Sequence, residues 1–339
     1  MIVTFKSDIL IAFIKQAKVI KDGFGILIRT TDNGELEFIK SDTQSQIRMA
    51  INCDIDQEGC VILPKELFSL IKSKTTMTLT HRAIDLGSRT VEVDLDTEDT
   101  YPVLKDNFDY NVFDLSDKEI KELLEVEHAA SKDKSKPILQ GIHISDNKFI
   151  ALDGYRLSTR EGNFRADKAV TIKSIKLLKA LKGQVKAVAG EKHIKYIVNG
   201  LEYTDTLIEG DILDVNKLMP KDYYCEMSID KDLLENTLKD MNNVAKDSDN
   251  NLVTFNIKND KCIVKTESKK VKVREELDCK STGEEIDIGF NNKFMLDAIK
   301  DLDNIKINFT TPVNPFVLTD TNKLELILPV RISYLKRVK

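Results

Sequence analysis

Three stretches of this chain open alike, and this repetition constrains the fold more than any other feature. They are SDILIAFIKQAK from Ser7, SDKEIKELLEVEHAA from Ser116 and DKDLLENTLKDMNNVAK from Asp230. Each puts Ser or Asp where a helix N-cap belongs, and apolar residues then return at helical spacing. Ile9, Leu10, Phe13, Ile14 and Ala17 form the first stripe, Ile120, Leu123 and Leu124 the second, and Leu233, Leu234, Leu238 and Met241 the third. A second helical pattern follows in each copy: PKELFSLIKSK from Pro64, SIKLLKALKG from Ser174 and NNKFMLDAIKDL from Asn291. Each comes after a β-like run, at 60–63, 169–172 and 286–290. Between them, GILIRTTDNGELEFI and LVTFNIKNDKCIVKT alternate apolar and polar residues around turn formers and read as hairpins, with Asn33-Gly34 the best turn signal. The period, about 110 residues, is too long for a solenoid and suits a domain. The pattern predicts an α+β chain of three repeated domains, 1–107, 108–222 and 223–339. Each would hold two helices and two short antiparallel sheets.

Several function classes fall away. No apolar run approaches the ~18 residues of a membrane span, and MIVTFKSDILIAF, with an Asp inside its apolar run, does not fit a secretory signal. Cys53, Cys60, Cys225, Cys262 and Cys279 are scattered and odd in number, as expected of reduced thiols in a cytoplasmic protein. There is no GxxxxGK[ST], no GxGxxG after a strand and no GxSxG. His81, His128, His143 and His193 stand alone, and DSDNN at 247–251 lacks the glycine and glutamate of a calcium loop, so it reads as a loop beside a hairpin. No catalytic residue, cofactor or metal ligand is expected, and the chain does not read as an enzyme.

The charge pattern says more than the net charge of −5. Lys173, Lys176, Lys179 and Lys182 recur every third residue, with Leu178 and Leu181 opposite. Lys15, Lys18 and Lys21 repeat the tendency on the first helix, and Lys132, Lys134 and Lys136 in a loop. Such clusters suit phosphates, although a solvated helix face is the plainer alternative. Two strand-like segments carry opposite signs. TVEVDLDTED sets Glu92, Asp94 and Asp96 against an apolar face, and KKVKVRE does the same with Lys270, Lys272 and Arg274. A one-sign edge disfavours its own copy and favours the opposite sign, which suggests head-to-tail contact between chains; two unrelated solvent faces are the alternative. Finally, ALDGYRLSTR at 151–160 puts three bulky side chains just past an Asp-Gly turn. That placement fills a core or offers a surface.

Taken together, ALDGYRLS (151–158), LIEGDILDVNKLMP (207–220), IDIGFNNKFMLDAIKDL (286–302), TPVNPFVLTD from Thr311 and LELILPVRI ending at Ile332 resemble the bacterial DNA polymerase sliding clamp family, the β subunit of the replicative polymerase. The likeness runs through nearly the whole chain and is weakest in the first domain. It implies a DNA clamp fold of three clamp domains, with two chains closing head to tail into a homodimeric ring that encircles duplex DNA without reading its sequence. It also implies partners: the replicative polymerase, a clamp loader and other proteins carrying short clamp-binding peptides. The implied peptide pocket comprises Leu139, Leu152, Gly154, Tyr155, Arg156, Leu157, Leu213, Lys217, Leu218, Val313, Pro315, Leu326, Leu328, Pro329, Val330 and Arg331. For Leu139, Leu152 and Leu157 the residues alone suit core packing equally well.

The sequence departs from the family at Tyr155, where His is common, at Lys217 for Arg and at Leu213 for Pro. The usual loop after the first helix is missing, Lys21-Asp22-Gly23 leading almost straight into strand, and a basic tail, SYLKRVK at 333–339, extends past the family's usual end. Two other readings compete: a monomeric, non-encircling clamp-like peptide scaffold, and a metal-dependent nucleic-acid enzyme. The absence of paired ligands at motif spacing weighs against the second.

Overall fold

Four strands in one order recur three times along the chain. The computed structural model describes residues 1–20, 24–96, 101–173, 175–210 and 214–332, with only the backbone at Lys176. The first strand set is Ile2–Lys6, Thr76–Thr80, Ala83–Asp85 and Thr90–Glu92; the second is Tyr110–Leu115, Val185–Ala189, His193–Val198 and Leu201–Thr206; the third is Cys225–Ile229, Ile305–Phe309, Phe316–Asp320 and Lys323–Ile327. In each set the first strand pairs with the second, and a meander completes it.

The chain packs as two units, residues 1–120 with 164–209 and residues 121–163 with 210–339. The units cut across the repeats because the strands do not stop at repeat ends. In the first unit, Ser45–Ile51 pairs antiparallel with Leu201–Thr206, Ser45 facing Asp205 and Met49 facing Leu201. In the second, Arg156–Glu161 pairs with Lys323–Ile327, Arg156 facing Ile327 and Arg160 facing Lys323. Two small sheets per repeat were expected; instead edge strands of successive repeats join. Each junction satisfies a row of backbone donors and acceptors that an edge leaves open. The corresponding strands Lys272–Asp278 and Thr90–Glu92 end their sheets unpaired on one side among the described residues.

The helices are α1 (Ser7–Gln16), α2 (Asp117–Leu124), α3 (Ile175–Ala180), α4 (Lys231–Lys246) and α5 (Asn292–Ile299). The first cap differs from expectation. Ser7 is the first helical residue, and its hydroxyl donates to the carbonyls of Lys72 (2.7 Å) and Thr75 (3.1 Å). The other two caps form. Ser116 and Glu119 make a reciprocal pair, the carboxylate accepting from the Ser116 amide at 2.8 Å, and the Asp230 carboxylate accepts from the Leu233 amide at 2.8 Å. The second helix of the first repeat is not an α-helix. Lys65–Leu70 is a 3₁₀ segment, and none of its residues is fully buried. A helix this short needs a packed face to hold the α form, and here Leu67, Phe68 and Leu70 are only half-buried.

The two hairpin predictions hold. Ile26–Thr30 and Leu36–Ser41 flank Asn33-Gly34, and Leu252–Lys258 and Lys261–Glu267 turn through Asn259 and Asp260, both at positive φ. Aromatic rings fill the cores. Phe38 lies 5.4 Å from Phe5 and 5.7 Å from Phe13, and Phe290 lies 4.5 Å from Phe255 and 6.0 Å from Phe316.

Asp106 ties the connection between the first two repeats to the 190–193 turn. Its carboxylate accepts from the amides of Glu191 (3.2 Å), Lys192 (2.9 Å) and His193 (3.0 Å). Burial pushes this carboxyl up, but those three donors and the His193 ring outweigh it and hold it down at about 2. The depressed value means the stabilisation is present above the ordinary aspartate pKa and is lost as pH falls toward 2. Asp106→Asn is therefore predicted to cost about 1 kcal/mol at neutral pH, after discounting for solvent screening. In urea unfolding the gap from the parent chain should narrow steadily below pH 4.

Candidate functional site

The Asp-Gly turn at 153–154 carries the most exposed large hydrophobic side chain among the described residues. Phe149 to Leu152 enters it on the Lys148–Leu152 strand, and Leu152 and Leu157 are its last cross-strand pair. The Asp153 carboxylate accepts from the amides of Tyr155 (2.9 Å) and Arg156 (3.1 Å), and Gly154 adopts φ +93°, which a Cβ would strain. The turn throws Tyr155 outward, 65% exposed. The Tyr155 carbonyl accepts from the Leu328 amide at 2.9 Å, which seats Leu328, itself 36% exposed, beside it.

Below this rim lies a small apolar cluster separate from the main core of the third repeat. Leu152, Leu157 and Leu326 are buried in it together with Ile150 and Val317, and Leu139 packs against its side. Of the expected wall residues, these four leucines therefore converge. Leu218 is exposed, but its neighbours Val215 and Met219 pack on the cluster. Val313 is 60% exposed on the loop before Phe316–Asp320, and Pro315 and Pro329 are half-buried. Val330 bridges to Gly289, where any Cβ would press on the Val330 carbonyl at 2.9 Å. Lys217 and Arg331 are exposed. Leu213 lies outside the described residues. Sequence reasoning missed Ile150, Val317, Val215, Met219 and Leu324. Ile150 was within reach, because residues 150 and 152 share a strand face.

Arg156 does not line the surface as expected; it is 8% exposed and fully engaged. Its guanidinium donates to Asp153 (3.0 Å), to Asp297 on α5 (2.7 Å) and to the His128 carbonyl, and it lies 4.3 Å from the Phe294 ring centroid. It is a strut that fixes the turn against α5. Beneath it, Glu325, 1% exposed, accepts from the Ser158 hydroxyl at 2.6 Å and meets His128 Nε2 at 3.1 Å and Lys323 Nζ at 3.5 Å. A buried carboxylate so surrounded is compensated.

The basic positions are exposed wherever they are described. Lys15 lies on α1 and Lys18 in the 3₁₀ turn after it, and α3 lies against that turn. α3 covers only residues 175–180, so Lys173 precedes it and Lys182 follows it; the four lysines do not share one helix face. Leu178 and Leu181 are buried as expected. Lys132, Lys134 and Lys136 are exposed in a loop of the second unit. Lys21 and the Lys176 side chain, like the 333–339 tail, lie outside the described residues.

Glu92, Asp94, Asp96, Lys270, Lys272 and Arg274 are all exposed. Only Glu92 lies within its short strand, and Lys270 lies in the turn before Lys272–Asp278. That strand carries its own acids, and Lys272 and Arg274 meet Glu267 (2.7 Å) and Glu276 (3.4 Å). Among the described residues no group of His, Cys, Asp or Glu is placed to hold a metal ion, and no helix is long and apolar enough to cross a membrane.

Residues 216–331 match the family described as DNA polymerase III beta subunit, C-terminal domain. A beta sliding clamp from Staphylococcus aureus is 25% identical over 346 residues, covering 88% of this chain and 90% of the relative. The beta subunit of DNA polymerase from Streptococcus pyogenes has a similar structure, with a TM-score of 0.82 at 23% identity, covering 98% of this chain and all of that one. A sliding clamp from Bartonella birtlesii, solved bound to griselimycin, gives a TM-score of 0.78 at 19% identity, covering 98% of this chain and 100% of that one.

The strut and the rim are predicted to separate on mutation. Asp297→Ala should lower the free energy of urea unfolding by about 1 kcal/mol, because it leaves a buried guanidinium short of a partner. Tyr155→Ala, a surface change, should stay within about 0.5 kcal/mol of the parent chain in the same titration.

Proposed function

We propose that this chain, a divergent member of the DNA polymerase III β-subunit family, is a processivity clamp: two copies close head to tail around duplex DNA and tether the replicative polymerase. The observation that carries the reading is the pair of unpaired edges. Within the chain, the fourth strand of one repeat's meander pairs with the strand after the Asp42 turn or the Asp153 turn. The strand after the Ser268 turn, Lys272–Asp278, and the fourth strand of the first repeat, Thr90–Glu92, lack that partner among the described residues. A second copy supplies it.

The repeat also supports a register. Ser45, last residue of its turn, faces Asp205, and Asp205 faces Ile194 in its own meander. In the first repeat Val93 holds the equivalent place: it is the fifth residue past the Gly87-Ser88 turn, as Asp205 is past Asn199-Gly200 and Ile327 past Thr321-Asn322, and Val271 ends the Ser268 turn. Val271 of one copy would therefore face Val93 of the next. The Thr206 amide donates to the Gln44 carbonyl at 3.0 Å, as Leu328 does to Tyr155. By the same correspondence the Asp94 amide would reach the Lys270 carbonyl, bringing their opposite charges together. Glu92, Asp96, Lys272 and Arg274 would flank that contact.

In this reading the domains are 1–107, 108–222 and 223–339, and the protein works in the cytoplasm with no catalytic site or cofactor of its own. The exposed lysines face phosphates, whose contacts are independent of sequence and permit sliding. The apolar cluster under Tyr155 and Leu328, with Leu218 and Val313 on its rim, takes Leu or Phe anchors of short peptides from the polymerase, the clamp loader and other partners. A ligand-bound clamp from Bartonella birtlesii, similar along its whole length, supports a binding site on this fold.

Two outcomes test this. Changing Lys270, Lys272 and Arg274 together to Glu should turn a dimer into monomers in sedimentation equilibrium; a dimer of unchanged mass would refute the interface. In primer extension on a circular template with the host polymerase and loader, the protein should lengthen synthesis tracts at least about tenfold, a loss of about 1.4 kcal/mol sufficing to abolish that gain. Tyr155→Ala combined with Leu328→Ala should remove the effect. Tracts no longer than those without the protein would count against a clamp.

A further inference from the structure

The turn that builds the apolar cluster occurs three times, and its first copy lies beside a cavity. Ser41 and Gln46 are the last cross-strand pair around the Asp42 turn, as Leu152 and Leu157 are around the Asp153 turn. The Asp42 carboxylate accepts from the amides of Gln44 (3.0 Å) and Ser45 (2.7 Å), as Asp153 does from Tyr155 and Arg156. Thr43 even takes the left-handed conformation of Gly154, with φ +75°. Across each junction the next pairings also correspond, Gln46 with Thr204 and Leu157 with Leu326.

At this place in the first unit lies a cavity of about 400 Å³. Val19, Ile20, Leu177, Leu207 and Ile208 give it apolar walls. Its floor differs from the leucine cluster. Gln46 stands where Leu157 stands, Thr204 where Leu326 stands, and Gln44 at the rim where Tyr155 stands. Gln46 and Thr204 are buried. Ser41, in the place of Leu152, is 0% exposed and is not among the residues that line the cavity. The Gln46 Oε1 accepts from the Leu104 amide at 2.9 Å, which leaves its side-chain NH2 and the Thr204 hydroxyl to offer hydrogen bonds to an occupant. Lys173 lines the same cavity and is exposed. The Asp205 carboxylate accepts from Ser45 at 2.7 Å, so it is already engaged.

We propose that this cavity is a second peptide-docking site, taking a short segment in which a side-chain amide or hydroxyl neighbours a carboxylate. The amide or hydroxyl would exchange hydrogen bonds with Gln46 and Thr204, and the carboxylate would meet Lys173. The size is at the low end for ligand pockets, room for one or two side chains. One ammonium balances the single charge of a carboxylate, whereas a phosphate monoester carries about −1.5 to −2; Lys173 then serves this site, and the other exposed lysines the DNA. The proposal rests on the leucine cluster being a peptide pocket, since the same turn and junction build both. The two sites would then choose different segments, an apolar anchor at one and a polar, acidic one at the other, so one partner can engage a single copy twice.

Methyl NMR on the full-length protein tests this with two probes. Acetyl-Gln-Asp-amide is expected to give saturable shifts at Val19, Ile20, Leu177, Leu207 and Ile208. Lys173→Glu, an exposed change, should weaken the fitted Kd at least fivefold, and Thr204→Val should weaken it independently. Absence of saturable shifts at these methyls, or a Kd that Lys173→Glu leaves unaltered, overturns the proposal. Acetyl-Leu-Phe-amide reports separately on Leu152, Leu157 and Leu326. Failure of that probe alone counts against the leucine cluster as a peptide pocket and leaves the second site to its own result.

Discussion

Antiparallel pairing between the strand after one turn and the last strand of the next repeat's meander is the interaction on which this molecule depends. It joins Ser45–Ile51 to Leu201–Thr206 and Arg156–Glu161 to Lys323–Ile327. Each joint closes open backbone edges that would otherwise invite pairing with other chains. Each also brings a turn against a strand exit: at the first joint that meeting lies beside a cavity, and at the second it lies over an apolar cluster.

Chemistry then depends on a few positions around the same backbone. Leucines at 152, 157 and 326 make an oily floor, with Tyr155 and Leu328 standing above it. Gln46 and Thr204 stand at the places of Leu157 and Leu326 and line the cavity of the first unit. The backbone hydrogen bonds of the turn are alike in both, so the two places differ in their side chains alone. Arg156 shows the same economy. Its four hydrogen bonds and its stacking on Phe294 hold the first of these floors rigid while leaving the surface to its neighbour Tyr155.

Much of this was legible in the residues. The repeat, the hairpins at Asn33-Gly34 and Asn259-Asp260, and the caps at Ser116 and Asp230 follow from local rules that the fold obeys. Local rules failed where tertiary contacts decide. Ser7 looked like a cap, but the carbonyls of Lys72 and Thr75 claim its hydroxyl. Residues 65–70 have a helical pattern yet bury no side chain fully and settle as 3₁₀. The Lys173 to Lys182 spacing suggested one helix face, but α3 is only 6 residues long. Arg156 looked like part of a binding wall because sequence shows position and not partners; Asp297 lies 141 residues away. The continuation of sheets across repeats left no local signal, since a strand's neighbour is not written in its own residues.

The central claim is that a second copy completes the pairing pattern, and the most direct measurement is a cross-link at the expected register. Val93→Cys and Val271→Cys introduced together and oxidised should give a covalent dimer closed at both joints. Each single variant should give none beyond the background of the native cysteines. A double variant that stays monomeric on a denaturing gel, or that links no faster than Val93→Cys paired with Arg274→Cys, would contradict the account.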